Sequence, residues 1–216
     1  MAGLKTLYFA GLDLEGVEAL VVGGGAVGLQ KARELLRCGA RVRVVAPRCR
    51  PALKALLKAH GGSWARRAFR ARDLKGAAVV FAAADSREVN ARVAALARRG
   101  GLWVGVADRP GEGNLSVPAV ARAGRLNLAV STSGASPALA KALRRSLEKG
   151  LGRSALPRLL GRLEALRPVL KRRPARKKKL LAALTRPEFF TRLLKPESPA
   201  LGRALDLLLR EARGSD

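Results

Sequence analysis

Apolar residues in the first half of the chain come in short runs that alternate with helically spaced ones. Val17 to Val22 is an apolar run ending in glycines, and it predicts a strand. Gly25 to Arg37 then places Val27, Leu29, Ala32, Leu35 and Leu36 on one side of a helix, which Gly39 stops. Arg41 to Ala46 alternates arginine and valine and predicts a second strand, closed by Pro47. Pro51 to Ala59 is amphipathic, and Ala77 to Ala83 is a continuous apolar strand of the kind covered on both faces. Ser86 to Arg98 predicts a helix and Leu102 to Ala107 a further strand. Strand–helix–strand alternation implies an α/β fold, a Rossmann-like doubly wound parallel sheet.

The pattern changes after Asp108. A loop rich in glycine and proline leads to two strand candidates, Ser116 to Arg122 and Arg125 to Ser131, joined by Ala123-Gly124. Ser131 to Pro137 then opens a helix running to about Lys149, with Ser136 suited to the N-cap and Pro137 to the first turn. From Leu156 onward the pattern is helical, with breaks expected at Pro168, Pro174, Pro187, Pro196 and Pro199. The expected division is a dinucleotide-binding domain over 1–112, a strand-pair-plus-helix region over 113–150 and a helical part over 151–216. No internal repeat is visible.

Charge narrows the partners. Forty-three Lys and Arg stand against 16 Asp and Glu, a formal net +27 over 216 residues. An apolar fraction of 48% is enough to bury a core, so this is no disordered polycation. Such a surface attracts nucleic acid, anionic membrane or a small substrate with several acidic groups. The densest patch, Lys171 to Lys179, has seven basic residues in nine and no aromatic for base stacking, so a solvated helix junction is preferred to a nucleic-acid site. The longest apolar run, Ala77 to Ala84, has eight residues, too few to cross a bilayer. With no secretory pattern after Met1 and only Cys38 and Cys49 as thiols, a cytoplasmic location with free cysteines is expected.

Candidate chemistry begins at Gly23-Gly24-Gly25-Ala26-Val27-Gly28, a G-x-G-x-x-G that follows a predicted strand and opens a predicted helix. Gly23 would make the tight turn, Gly25 would admit a pyrophosphate to the backbone, and Gly28 would let helix and strand pack closely. An NAD site commonly carries an acid at the end of the second strand; this chain has Ala46-Pro47-Arg48. Arg48 either favours a 2′-phosphate, hence NADP, or is one more surface arginine. Asp108 ends a strand where an open α/β sheet binds its ligands, and a carboxylate there can serve as general base. It could equally start a turn or pair with Arg109. The hydroxyls of Ser131, Thr132, Ser133 and Ser136 could cap a helix or receive a substrate carboxylate. His60 has no neighbouring ligand residue, so no metal site is expected.

Four segments together resemble the precorrin-2 dehydrogenase family, the dehydrogenase/chelatase part of sirohaem synthase. They are Val21 to Ala32; Ala82 to Asp85 with Asn90; Val106 to Pro110 with Asn114 to Ala119; and Leu128 to Ala140. The similarity covers about residues 4–150. It implies NAD-dependent oxidation of precorrin-2 to sirohydrochlorin, with Asp108 the essential acid and Ala26, Val27, Pro47 and Arg48 against the dinucleotide. By their places in these segments, Ala84 is read as a further cofactor contact, and Asn114, Thr132, Ser133 and Ser136 as substrate contacts. A homodimer formed through 113–150 is implied, with the substrate between the Rossmann and helical parts. The resemblance leaves open whether Fe²⁺ is inserted into the product, entering then as a substrate. The chain ends at Asp216 without the methyltransferase module of some relatives, so another protein is expected to supply precorrin-2. Precorrin-2 carries eight carboxylates, which suits the basic surface. The alternatives are a dinucleotide-sensing regulatory domain without chemistry, and a nucleic-acid binder.

Overall fold

The computed structural model describes residues 7–196 and 198–213. Contacts group the chain into two compact units, 8–117 and 118–213.

The first unit is a five-stranded parallel sheet, β1 (Glu18–Val22), β2 (Arg41–Val45), β3 (Ser63–Ala65), β4 (Val79–Ala82) and β5 (Trp103–Val106), in the order β3-β2-β1-β4-β5. Register is continuous across its centre, with Val21 beside Val44 on one side and Phe81 on the other. The helices are α1 (Ala26–Arg37), α2 (Pro51–Ala59) and α3 (Arg87–Arg99). Side chains of a strand alternate in direction, and both directions are apolar here. Ala19, Val21, Val79 and Phe81 bury against α1 and α2 residues such as Ala32, Leu35, Leu53 and Leu57. Leu20, Val22, Val80 and Ala82 bury against Val93, Ala94 and Ala97 of α3. This is why the β1 and β4 runs are unbroken rather than alternating.

Sequence pattern did not yield β3 or the 3-10 turn at Ala71–Leu74. β3 has only three residues, held by Trp64, whose Nε1 donates to the Ala46 carbonyl at 2.9 Å. The turn is held by Asp73, 5% exposed, which accepts both arms of the Arg67 guanidinium at 2.7 and 2.6 Å and the Arg70 N–H at 2.8 Å. Arg43 of β2 donates to the Asp73 carbonyl at 2.7 Å, tying the turn to the sheet.

The second unit opens with an antiparallel hairpin, β6 (Ala119–Ala123) and β7 (Leu126–Val130), turned at Gly124 with φ +58°. Helix α4 (Pro137–Gly152) follows, then α5 (Leu156–Arg172), α6 (Pro174–Leu184), α7 (Pro187–Leu194) and α8 (Pro199–Arg213). Leu159, Leu166, Leu170, Leu180, Leu184, Leu201 and Leu205 share one apolar core. The break expected at Pro168 does not occur. Proline costs α5 one hydrogen bond, but Leu166 and Leu170 are buried either side of it and carry the helix on to Arg172.

The Arg67 guanidinium beside Asp73 holds its carboxyl below the usual carboxylate range. A group shifted in that direction stabilises the fold above its unfolded value, and the contribution disappears as pH falls through the folded value. Asp73→Asn is therefore expected to cost about 2 kcal/mol at neutral pH. Thermal unfolding of both proteins across pH should show the gap closing below about pH 4.

Candidate active site

β1 lies between β2 and β4, where the order of connection reverses, and open α/β sheets bind ligands beyond the carboxyl ends of strands at such a point. The glycine turn sits there. Gly23 has φ +126°, and a Cβ on it would stand 2.0 Å from the Ala83 carbonyl oxygen. A Cβ on Gly24 would meet the Arg48 carbonyl oxygen at 2.1 Å, and one on Gly28 the Gly23 carbonyl oxygen at 2.1 Å. Three glycines are thus required by the protein's own backbone. Gly25 is different: its φ of −80° suits any residue, and the nearest atom to its would-be Cβ is Asp85 Oδ1 at 3.9 Å. The space beside Gly25 is a cradle that a methyl group would fill. No side chain caps α1 and its first turn has no acid, so its leading N–H groups face the same cradle. These residues fit a dinucleotide pyrophosphate.

Ala26 and Val27 are exposed in the first turn of α1, and Pro47 and Arg48 are exposed beyond β2. The Arg48 carbonyl packs on Gly24, and Arg50 N–H donates to the Gly24 carbonyl at 3.0 Å. The segment after β2 is thereby fixed against the glycine turn, and residues 46–50 contain no carboxylate.

The ends of β4 and β5 carry the titratable groups. Ser86 caps α3, its Oγ accepting from Val89 N–H at 3.2 Å. Asp108 follows β5 and has a side chain about one-third exposed. Its Oδ1 accepts from Asn90 Nδ2 at 2.9 Å, and its Oδ2 lies 3.7 Å from Arg87 Nε. Arg87 itself pairs closely with Glu112. Asn90 also brackets Ala84, accepting from its N–H at 2.9 Å and donating to its carbonyl at 3.0 Å. The first unit thus brings Gly23, Gly25, Ala84 and Asp108 to one end of the sheet. Asn90 is the residue that sequence pattern underweights. Its signal is an amide on the apolar stripe with Val93, Ala94 and Ala97.

Other candidate side chains are engaged with backbone. Asn114 Oδ1 accepts from Val104 N–H at 2.7 Å, and its Nδ2 donates to the Leu102 carbonyl at 3.0 Å. In the second unit, Thr132 Oγ1 accepts from Ser136 N–H at 3.0 Å and Ser136 Oγ from Leu139 N–H at 3.2 Å. Ser133 has φ +51°, a left-handed conformation uncommon for a residue with a side chain. His60 ends α2, and among the described residues no three His, Cys, Asp or Glu gather as metal ligands. Lys171 to Lys179 spans the α5–α6 junction. Among the described residues no helix is long and apolar enough to cross a membrane.

The chain resembles known proteins in both of its units. Residues 10–119 match a family described as "Putative NAD(P)-binding", and residues 124–150 match one described as "Sirohaem biosynthesis protein central". The first unit is thus of the NAD(P)-binding class. With both regions in this order, the chain belongs to the family of precorrin-2 dehydrogenases and sirohaem synthases. It is 40% identical over 156 residues to the sirohaem synthase of Gluconobacter oxydans, covering 70% of this chain and 32% of that one. Against sirohaem synthase 1 of Aeromonas salmonicida it is 37% identical over 193 residues, 89% of this chain and 39% of the relative. The chain therefore spans only about a third of the curated relatives it matches. A solved structure described as SirC, precorrin-2 dehydrogenase, superposes with a TM-score of 0.75 and 27% identity, covering 95% of this chain and all of that one.

The glycines give a paired prediction. Gly28→Ala drives a methyl into backbone and should lower stability by about 1–3 kcal/mol. Gly25→Ala should keep the thermal midpoint yet weaken dinucleotide binding by roughly tenfold or more, about 1.4 kcal/mol. Calorimetric unfolding and dinucleotide titration on both variants separate the two roles.

Proposed function

We propose that this protein oxidises precorrin-2 to sirohydrochlorin with NAD as acceptor. The observation that carries the reading is the pairing of the backbone cradle at Gly25 with a held carboxylate, Asp108, at the same end of one sheet. The family relationship and the SirC-like fold support the substrate assignment.

The bound dinucleotide supplies a hydride acceptor. Gly25 and the opening N–H groups of α1 would hold its pyrophosphate, with Ala26, Val27, Ala84, Pro47 and Arg48 as its further contacts. NAD is the proposed cofactor; Arg48 is the residue that would accept the 2′-phosphate of NADP. Precorrin-2 loses two electrons and a proton from one carbon as hydride, and a second proton to a base. Asp108 takes that proton. The net positive charge draws in the polycarboxylate. Ser133, in its left-handed turn, and the neighbouring Thr132 and Ser136 are assigned to substrate carboxylates, as is Asn114 after β5.

A homodimer through the 113–150 region belongs to the same proposal. Leu139, Leu143 and Leu147 recur at four-residue spacing on α4 and are 51%, 44% and 37% exposed. A self-complementary apolar stripe of this kind suits a second copy of the chain. Leu143→Glu should convert the dimer to monomer, as read by light scattering behind gel filtration; an unchanged mass places the interface elsewhere.

The reaction is tested by anaerobic absorbance with enzymatically made precorrin-2 and NAD or NADP in parallel. NAD-dependent appearance of the sirohydrochlorin spectrum is expected. Asp108→Asn should lower turnover by about 10²–10⁴-fold while dinucleotide affinity persists. Unchanged turnover in that variant removes Asp108 as the base. No conversion by folded wild-type protein would leave a dinucleotide-sensing domain. Fe²⁺ added to the finished reaction, beside a protein-free control, reads iron insertion.

A further inference from the structure

Asn90 occupies a position where packing alone calls for an apolar side chain. It lies in α3 beside Val93, Ala94 and Ala97 and is only 1% exposed. A buried amide is tolerated where its polar atoms are matched, and here the matching has a direction. One bond each way goes to the Ala84 peptide, fixing the turn after β4. The remaining donor reaches 2.9 Å across to Asp108 Oδ1 at the end of β5. The other carboxylate oxygen is not held in this way: Arg87 Nε is 3.7 Å from Oδ2, beyond hydrogen-bond reach, and the Arg87 fork is drawn toward Glu112.

We propose that Asn90 is the positioning residue of this site: it fixes Asp108 through Oδ1, so that Oδ2 is the oxygen that receives the proton. The inference rests on the reading of Asp108 as general base. Only an amide satisfies the geometry, since one side chain must accept from a peptide N–H and donate to both a carbonyl and a carboxylate. The same amide ties the carboxylate to the Ala84 turn. The base and the turn proposed to line the dinucleotide are thereby set against each other by a single rigid group.

The test uses the full chain and the variants Asn90→Asp, Asp108→Asn and the two combined. Asn90→Asp keeps the acceptor for Ala84 N–H but loses the donors to the Ala84 carbonyl and to Asp108, and sets a second carboxylate opposite Asp108. Turnover should fall by about tenfold or more, by a larger factor than the KM for dinucleotide rises, and the thermal midpoint should drop. Adding Asp108→Asn restores an amide opposite a carboxylate, so the midpoint should recover in part, the Ala84 carbonyl still lacking its donor, while turnover stays at the level of Asp108→Asn alone. A merely structural Asn90 would give the same midpoint loss in both backgrounds, which overturns the proposal. So does Asn90→Asp turning over like wild type. If Asn90→Asp does not fold, Asn90→Ala removes all three bonds without adding charge and carries the same kcat-against-KM readout. Full turnover in Asp108→Asn alone would defeat the base reading and this proposal together. A collapsed Asp108→Asn with additive midpoint losses defeats this proposal only.

Discussion

The backbone at Gly23 comes so near the Ala83 carbonyl that even one methyl group has no room, and the arrangement of the first unit follows from that approach. Gly23 turns with φ +126°, a conformation in which a side chain is strained whatever space surrounds it. Its carbonyl in turn lies where a Cβ of Gly28 would be, so α1 can settle onto β1 only because both residues are bare. Gly24 repeats the constraint against Arg48, bringing the end of β2 into the same knot. Segments following three neighbouring strands therefore meet through main chain, and what they enclose is shaped by peptide groups. A surface of that kind suits a phosphate, which is recognised by N–H groups rather than by side-chain chemistry.

Much of this was legible in the sequence because burial on both faces leaves no ambiguity in the runs of β1 and β4. The roles of Gly23 and Gly28 could be read from spacing, since turn and helix packing both act within a few residues. β3 and the Asp73 turn were not legible. Three residues carry too little period to register, and Asp73 finds Arg67 through local chain geometry that no hydrophobic pattern encodes. Pro168 misled for a related reason. Proline reports a local cost, whereas Leu166 and Leu170 answer to a core assembled from five helices.

At the site, residue type and partner separate. Asp108 was visible as an acid at a strand end, but its link to Asn90 crosses eighteen positions and depends on two strands lying side by side. Hydroxyl-rich sequence before α4 suggested ligand chemistry and capping alike; Thr132 and Ser136 accept from backbone N–H groups, and Ser133 is set apart by its backbone rather than by its chemistry. A polar side chain in sequence states what it can bond, and only the fold states what it does.

Asn114 carries a consequence for the molecule in its surroundings. β5 is the last strand of its sheet, and a parallel edge is a template onto which another chain can add. On its outer side, the Leu102 carbonyl and the Val104 N–H are taken by the Asn114 amide, while the Val104 carbonyl accepts from Asn114 N–H and Leu115 N–H at 3.0 and 3.1 Å. One side chain with its adjoining peptide thus imitates the strand that would come next. The sheet is closed to accretion there by a covalently tethered blocker, a safeguard against fibrous self-association that remains in place for as long as the loop stays folded.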